Sequence, residues 1–71
     1  GGHDGLRLIK KVIYKASNLI KRSGLLAIEI GYGQYRKASN LLYQYGFKEI
    51  CKEYDNNRNV RCIISTKIKF L

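Results

Sequence analysis

No apolar run in this 71-residue chain approaches the ~20 residues that span a bilayer, and no signal peptide opens it. Neither a membrane-spanning nor a secreted protein is expected. Methionine is absent altogether, so a chain opening on Gly1 is expected to have been processed, cut or assembled artificially. The two cysteines, Cys51 and Cys62, are too few for a disulfide framework, and their spacing is not that of a zinc site. Two reduced, partly buried thiols in a cytoplasmic protein are the expectation. Acidic residues are scarce as well: five Asp/Glu against fourteen Lys/Arg leave a formal charge of +9. What remains, 45% apolar and 27% charged residues, suits one small folded domain rather than a disordered chain. A chain this short buries only roughly 60% of its unfolded surface, so its stability is expected to be marginal.

Asp4 can cap a helix, and Leu6, Ile9, Ile13, Ala16 and Ile20 behind it form one helical stripe, predicting a helix over about 5–22. Lys21 and Arg22 suit the negative end of its dipole, and Ser23-Gly24 can end it in the left-handed conformation. Leu25-Leu26-Ala27-Ile28-Glu29-Ile30, apolar on both faces and too short for a helix, reads as a buried strand of the parallel-sheet type. Gly31-Tyr32-Gly33 is a turn. Tyr35, Ala38, Leu41, Leu42 and Tyr45 then repeat helical spacing up to Gly46. Residues 47–54 are strand-like, and Asp55-Asn56-Asn57-Arg58-Asn59 is turn chemistry. In the closing strand over 60–70, Val60, Cys62, Ile64, Ile68 and Phe70 share one face. Lys15-Ala16-Ser17-Asn18-Leu19 recurs 22 residues later as Lys37-Ala38-Ser39-Asn40-Leu41, but two copies cannot make a solenoid.

The order helix, strand, helix, strand, strand makes the first two strands parallel through a right-handed crossover. The last strand follows a short turn and so runs antiparallel. It lies either outside the pair or between its members. The sheet looks incomplete, because the 25–30 strand is patterned for neighbours on both edges.

Gly1-Gly2-His3-Asp4-Gly5-Leu6, then Gly24-Leu25-Leu26-Ala27-Ile28-Glu29-Ile30-Gly31-Tyr32-Gly33-Gln34, then Leu41-Leu42 with Gly46-Phe47, and finally Asp55 with Arg61 fall in order. Together they resemble the C-terminal part of the release factor glutamine methyltransferases, the HemK/PrmC family, over nearly the whole chain. That family's pattern is GG-x-DGL, a helix, GG-x-LLLEIG-x-x-Q, a helix ending in GF, and D-x-x-G-x-x-R. Four positions depart from it. The usual Pro-Gly before Gly24 is Arg22-Ser23, Val60 replaces an acidic or polar residue, and the turn glycine of the last hairpin is Arg58. The last change is tolerable only where no positive φ is needed.

The resemblance implies an α+β two-layer fragment, residues 1–71, of a Rossmann-like class I S-adenosylmethionine-dependent methyltransferase. Its strands would be the fifth, sixth and seventh, in sheet order fifth-seventh-sixth with the last antiparallel. The resemblance implies methyl transfer to the glutamine amide nitrogen of the Gly-Gly-Gln motif of peptide chain release factors. S-adenosylmethionine and a release factor would be the cofactor and partner of the intact enzyme. The family's glycine-rich cofactor loop and its Asn-Pro-Pro-Tyr motif are both missing here. Neither catalytic nor cofactor-binding residues are therefore expected in this piece, and it should be inactive alone.

Ligands of open α/β sheets bind at the carboxyl ends of strands, which makes Glu29, Gly31, Tyr32, Gly33 and Gln34 the candidate substrate-side rim. The plainer reading of Glu29 and Gln34 is that they tie down their own loop. The competing function is a small basic RNA-binding module using Arg7, Lys10, Lys11, Lys15, Lys21 and Arg22, though the element order fits neither the RRM (βαββαβ) nor the double-stranded RNA-binding domain (αβββα). A third possibility is an inactive remnant that self-associates through the exposed edge of the 25–31 strand. A free amine at Gly1, with Gly2 and His3, would offer Cu(II) or Ni(II) an adventitious four-nitrogen set. No functional metal is expected.

Overall fold

The stripe of Leu6, Ile9, Ile13, Ala16 and Ile20 is the inward face of helix α1 (Gly2–Leu19), with Ile9, Ile13 and Ala16 buried. This is a computed structural model that describes residues 2–70, with side chains from 5 to 70. The helix starts before Asp4, which lies in its first turn rather than at its N-cap. It also stops three residues short of the expected end. The Ser23 N–H donates to the Lys67 carbonyl at 2.8 Å, and Gly24 N–H to the Lys21 carbonyl at 2.8 Å, which draws the chain into the sheet before another turn can form. Lys21 and Arg22 therefore lie beyond the helix and do not serve its dipole. Ser23, not Gly24, takes the left-handed conformation, at φ 72°.

Strand β1 (Leu25–Glu29) leads through the 31–34 turn to α2 (Tyr35–Gln44), whose Ala38 and Leu42 are buried. Gly46, at φ +88°, ends that segment. A Cβ there would stand 2.2 Å from the Lys69 carbonyl oxygen, so only glycine fits. Strands β2 (Phe47–Tyr54) and β3 (Val60–Lys67) form the closing hairpin. The Asp55 carboxylate accepts the N–H groups of Asn57 (2.8 Å) and Asn59 (2.9 Å), and the turn places Arg58 at φ 65°. The left-handed backbone that glycine would supply is needed here after all, and an arginine adopts it.

The sheet order is β1-β3-β2, with β3 antiparallel to both neighbours, so the last strand fills the gap between two parallel ones. Register pairs Ile28 with Ile63 and Leu26 with Ser65, and these residues face the helices. Phe47 joins them from β2, closing a core with Ile13, Ala38 and Leu42.

Two strand expectations need correction. The 25–30 strand is not buried on both faces: Ile28 is buried, but Leu25 is 63% exposed and Ala27 and Glu29 are exposed. In β3 the buried residues are Ile63, Ser65 and Lys67. Cys62 and Ile64 look out on a face that no helix covers, and Ile68 and Phe70 lie past the strand's end and are exposed. Alternation marks two faces, but it does not say which one the helices will cover.

Lys67 is the most unexpected member of the interior, 1% exposed. Its ammonium donates to the Ser17 carbonyl in the last turn of α1 and lies 4.5 Å from the Phe70 ring centroid and 5.1 Å from that of Phe47. A β3 residue thus does for the helix C-terminus what Lys21 and Arg22 were expected to do. Desolvation lowers its pKa from the ordinary lysine value.

The two KASNL copies put Ala16 and Ala38 inward but sit differently, one ending α1 and the other inside α2. Ser17 donates to the Tyr14 carbonyl at 2.6 Å, whereas Ser39 turns toward Glu49. They are similar helix segments, not repeated units.

Candidate functional site

The carboxyl end of β1 runs into a turn built by its own side chain. The Gln34 amide oxygen accepts the Gly31 N–H at 2.6 Å, and the Gln34 N–H donates back to the Gly31 carbonyl at 3.1 Å. Between them Gly33 takes φ +77°, and Tyr32 stands 85% exposed at the tip. The Gln34 amide also lies against Gly5 of α1: a Cβ on Gly5 would come within 2.7 Å of Nε2, and one on Gly31 within 3.1 Å of Oε1. One amide therefore closes the turn at the strand end and packs closely beside Gly5 at the start of the preceding helix.

This arrangement brings Gly31, Tyr32, Gly33 and Gln34 together. Glu29 stands apart from them, on the uncovered face opposite Cys62 in the register. It lines an open depression of about 520 Å³ with Glu53, Arg61 and Cys62, away from the Gln34 clasp. Burial, reinforced by the carboxylates of Glu53 and Glu29, pushes the Cys62 thiol's pKa up, which makes it a poor nucleophile. Both cysteines are free.

A second polar cluster was not anticipated. The Tyr35 hydroxyl donates to the Glu49 carboxylate, with its two oxygens 3.0 and 3.1 Å away, and Ser39 Oγ reaches the same group at 3.5 Å. Lys52 completes it, 3.8 Å from Glu49 and 4.6 Å from the Tyr35 ring centroid. The hydrogen bond to Tyr35 is the leading cause of a raised Lys52 pKa. Tyr35 and Ser39 are one turn apart on α2, and Glu49 pairs with buried Ser65 on the covered side of β2. A carboxylate on the helix-facing side of a strand, opposite two hydroxyls at helical spacing, was the available signal. Its geometry ties α2 to the sheet.

The Gly31–Gly33 turn does not fit S-adenosylmethionine as a cofactor loop. The Gly31 N–H of that turn is already donated to the Gln34 side-chain oxygen, and no third glycine follows. The acid 22 residues beyond Gly33, Asp55, has its carboxylate committed to the hairpin turn, where the Asn59 N–H and then that of Asn57 lower its pKa. Among the described residues no group of three or more His, Cys, Asp or Glu could hold a metal, and no helix is long and apolar enough to cross a membrane. The copper set at Gly1, Gly2 and His3 lies outside the described side chains.

No family model and no solved structure matches the chain. It is similar, however, to proteins named release factor glutamine methyltransferase. The one from Thermodesulfovibrio yellowstonii is 40% identical over 50 residues, 70% of this chain and 18% of that protein. The Clostridium acetobutylicum protein is 31% identical over 67 residues, 94% of this chain and 24% of the relative. The Fusobacterium nucleatum protein is 36% identical over 64 residues, 90% of this chain and 18% of the relative. The chain thus spans less than a quarter of the length of the relatives it matches.

Proposed function

We infer, from a chain that is a fragment-length relative of the release factor glutamine methyltransferases, that it is the C-terminal part of such an enzyme's catalytic domain. In this reading β1, β2 and β3 are the fifth, sixth and seventh strands of a Rossmann-like sheet whose earlier strands lie upstream. The observation that supports it most is the sheet order β1-β3-β2, an antiparallel last strand between two parallel ones, with β1 left as an edge. The parent would move the methyl of S-adenosylmethionine to the glutamine amide nitrogen in the Gly-Gly-Gln motif of a release factor, in the cytoplasm.

The 71 residues would supply support rather than chemistry. Gln34 closes the turn at the carboxyl end of β1, close beside Gly5 of α1, with Tyr32 standing out on the rim where a substrate loop could pass. The cofactor and the reacting amide would be held by residues absent here, so the chain alone would transfer no methyl group.

The test is a chimera. The corresponding segment of the Thermodesulfovibrio yellowstonii enzyme is replaced by this chain, and methyl transfer from labelled S-adenosylmethionine to an unmethylated release factor is followed. Transfer by the chimera, with none from the 71 residues alone, is expected. A folded chimera without activity would contradict the reading, and so would transfer by the short chain alone.

A further inference from the structure

Charge is segregated in this molecule. From Gly2 to Tyr45 the sequence has eight Lys/Arg and two acids, Asp4 in the first turn of α1 and Glu29 on the face of the sheet turned away from the helices. Where α1 and α2 run side by side, their outer surfaces leave a groove of about 490 Å³. Half-buried Leu6 and Leu41 line it with apolar surface. Arg7 and Lys10, about one turn apart on α1, stand on one side; Lys37, Asn40 and Gln44, on successive turns of α2, stand on the other. Among the described residues, no carboxylate lines this groove. The one ion pair among the described residues is Lys52 with Glu49, on β2.

We propose that the α1–α2 groove docks an acidic amphipathic segment of a partner protein, with carboxylates on Arg7, Lys10 and Lys37 and an apolar side chain between Leu6 and Leu41. The cations on both walls flank an aliphatic floor, so a ligand anionic along two edges and apolar between them fits it. Asn40 and Gln44 add donors and acceptors suited to a peptide backbone or a carboxylate. RNA meets the charge requirement but not the floor. Single-stranded bases are held mainly by stacking on aromatic rings; among the described residues none lines this groove, and Arg7 alone offers a guanidinium plane. The surface does not depend on the methyltransferase reading, because both helices pack on the same face of the sheet whatever lies upstream.

The experiment titrates the 71-residue chain, labelled for amide NMR, with a peptide of four Glu-Glu-Leu-Leu repeats. A Glu-Glu-Ser-Ser peptide and oligouridylate serve as comparisons. The expected result is saturable shifts confined to the residues of the groove. Arg7→Glu, Lys10→Glu or Lys37→Glu should weaken binding at least tenfold, and raised salt should weaken it further. These side chains are exposed, so the variants keep the fold, which the unchanged remainder of the spectrum would report. Shifts on the sheet instead of the groove, equal binding of the serine peptide, or no shift at millimolar peptide would each overturn the proposal. Oligouridylate perturbing the groove as strongly as the acidic peptide would assign it to RNA instead.

Discussion

Ile63 and Ile64 are neighbours on β3, one fully buried beneath the helices and the other half-exposed on a face that nothing covers. The same contrast runs across the sheet. On one side Leu26, Ile28, Phe47 and Ile63 contribute to the core; on the other Leu25, Ala27, Cys62 and Ile64 form an apolar surface open to solvent. A strand patterned on both faces needs two covering layers, and these 71 residues provide one. The difference separates what holds this chain together from what it holds ready for other structure.

The largest expected effect exploits that contrast within one strand. Ile63→Ala should cost about 3–4 kcal/mol, because the site is fully buried and leaves a cavity between sheet and helices. A chain of this size has about 3.5–10 kcal/mol in all, so the variant should lose roughly a third of that or more, read in denaturant melts as a large drop of the midpoint. Ile64→Ala should cost no more than about 1 kcal/mol. Equal losses at the two sites would mean that the outer face is covered.

Lys67 sharpens the comparison from the inner side. Its lowered pKa means that the folded state binds fewer protons than the unfolded chain between the depressed value and the ordinary 10.5. The cost of burying the charge is fully present below the folded pKa and is relieved as pH rises through it, so stability should climb toward alkaline pH. Lys67→Met should flatten that climb in thermal melts taken at several pH values. An unchanged slope would show that the ammonium is not desolvated.

Smaller gains are expected at two of the departures from the family pattern. Ser23 and Arg58 hold left-handed backbone without being glycine, at φ 72° and 65°. Ser23→Gly and Arg58→Gly should each stabilise the fold by about 0.5–1 kcal/mol, read as a shift in the denaturation midpoint. Smallest of all, Leu25→Lys on the open face should move stability by less than about 0.5 kcal/mol. A larger loss there would place Leu25 in a contact.

Much of this fold was legible beforehand, for identifiable reasons. The α1 stripe repeats over five apolar positions, and the ends of β2 were set by Gly46 before it and the Asp55 turn after it. Local chemistry suffices for such elements. The helix ends and the inner side of β3 were decided by contacts across the chain instead. Ser23 reaches Lys67, and Lys67 reaches Ser17, over separations that periodicity does not sense. The candidate rim divides in the same way. Gln34 was readable as a residue tying down its own loop, whereas the placement of Glu29 on the opposite side depended on which face the helices took.

The account rests on β1 being an edge left open, and amide hydrogen exchange reads that directly. The Ile30 N–H donates to Arg61 and the Lys67 N–H to Gly24, so along β1 the even-numbered amides, Leu26, Ile28 and Ile30, turn toward β3. Those three should exchange slowly, and Leu25, Ala27 and Glu29, which point to the open edge, should exchange quickly. Uniform slow exchange in a dilute sample would show β1 paired on both sides and would contradict the account.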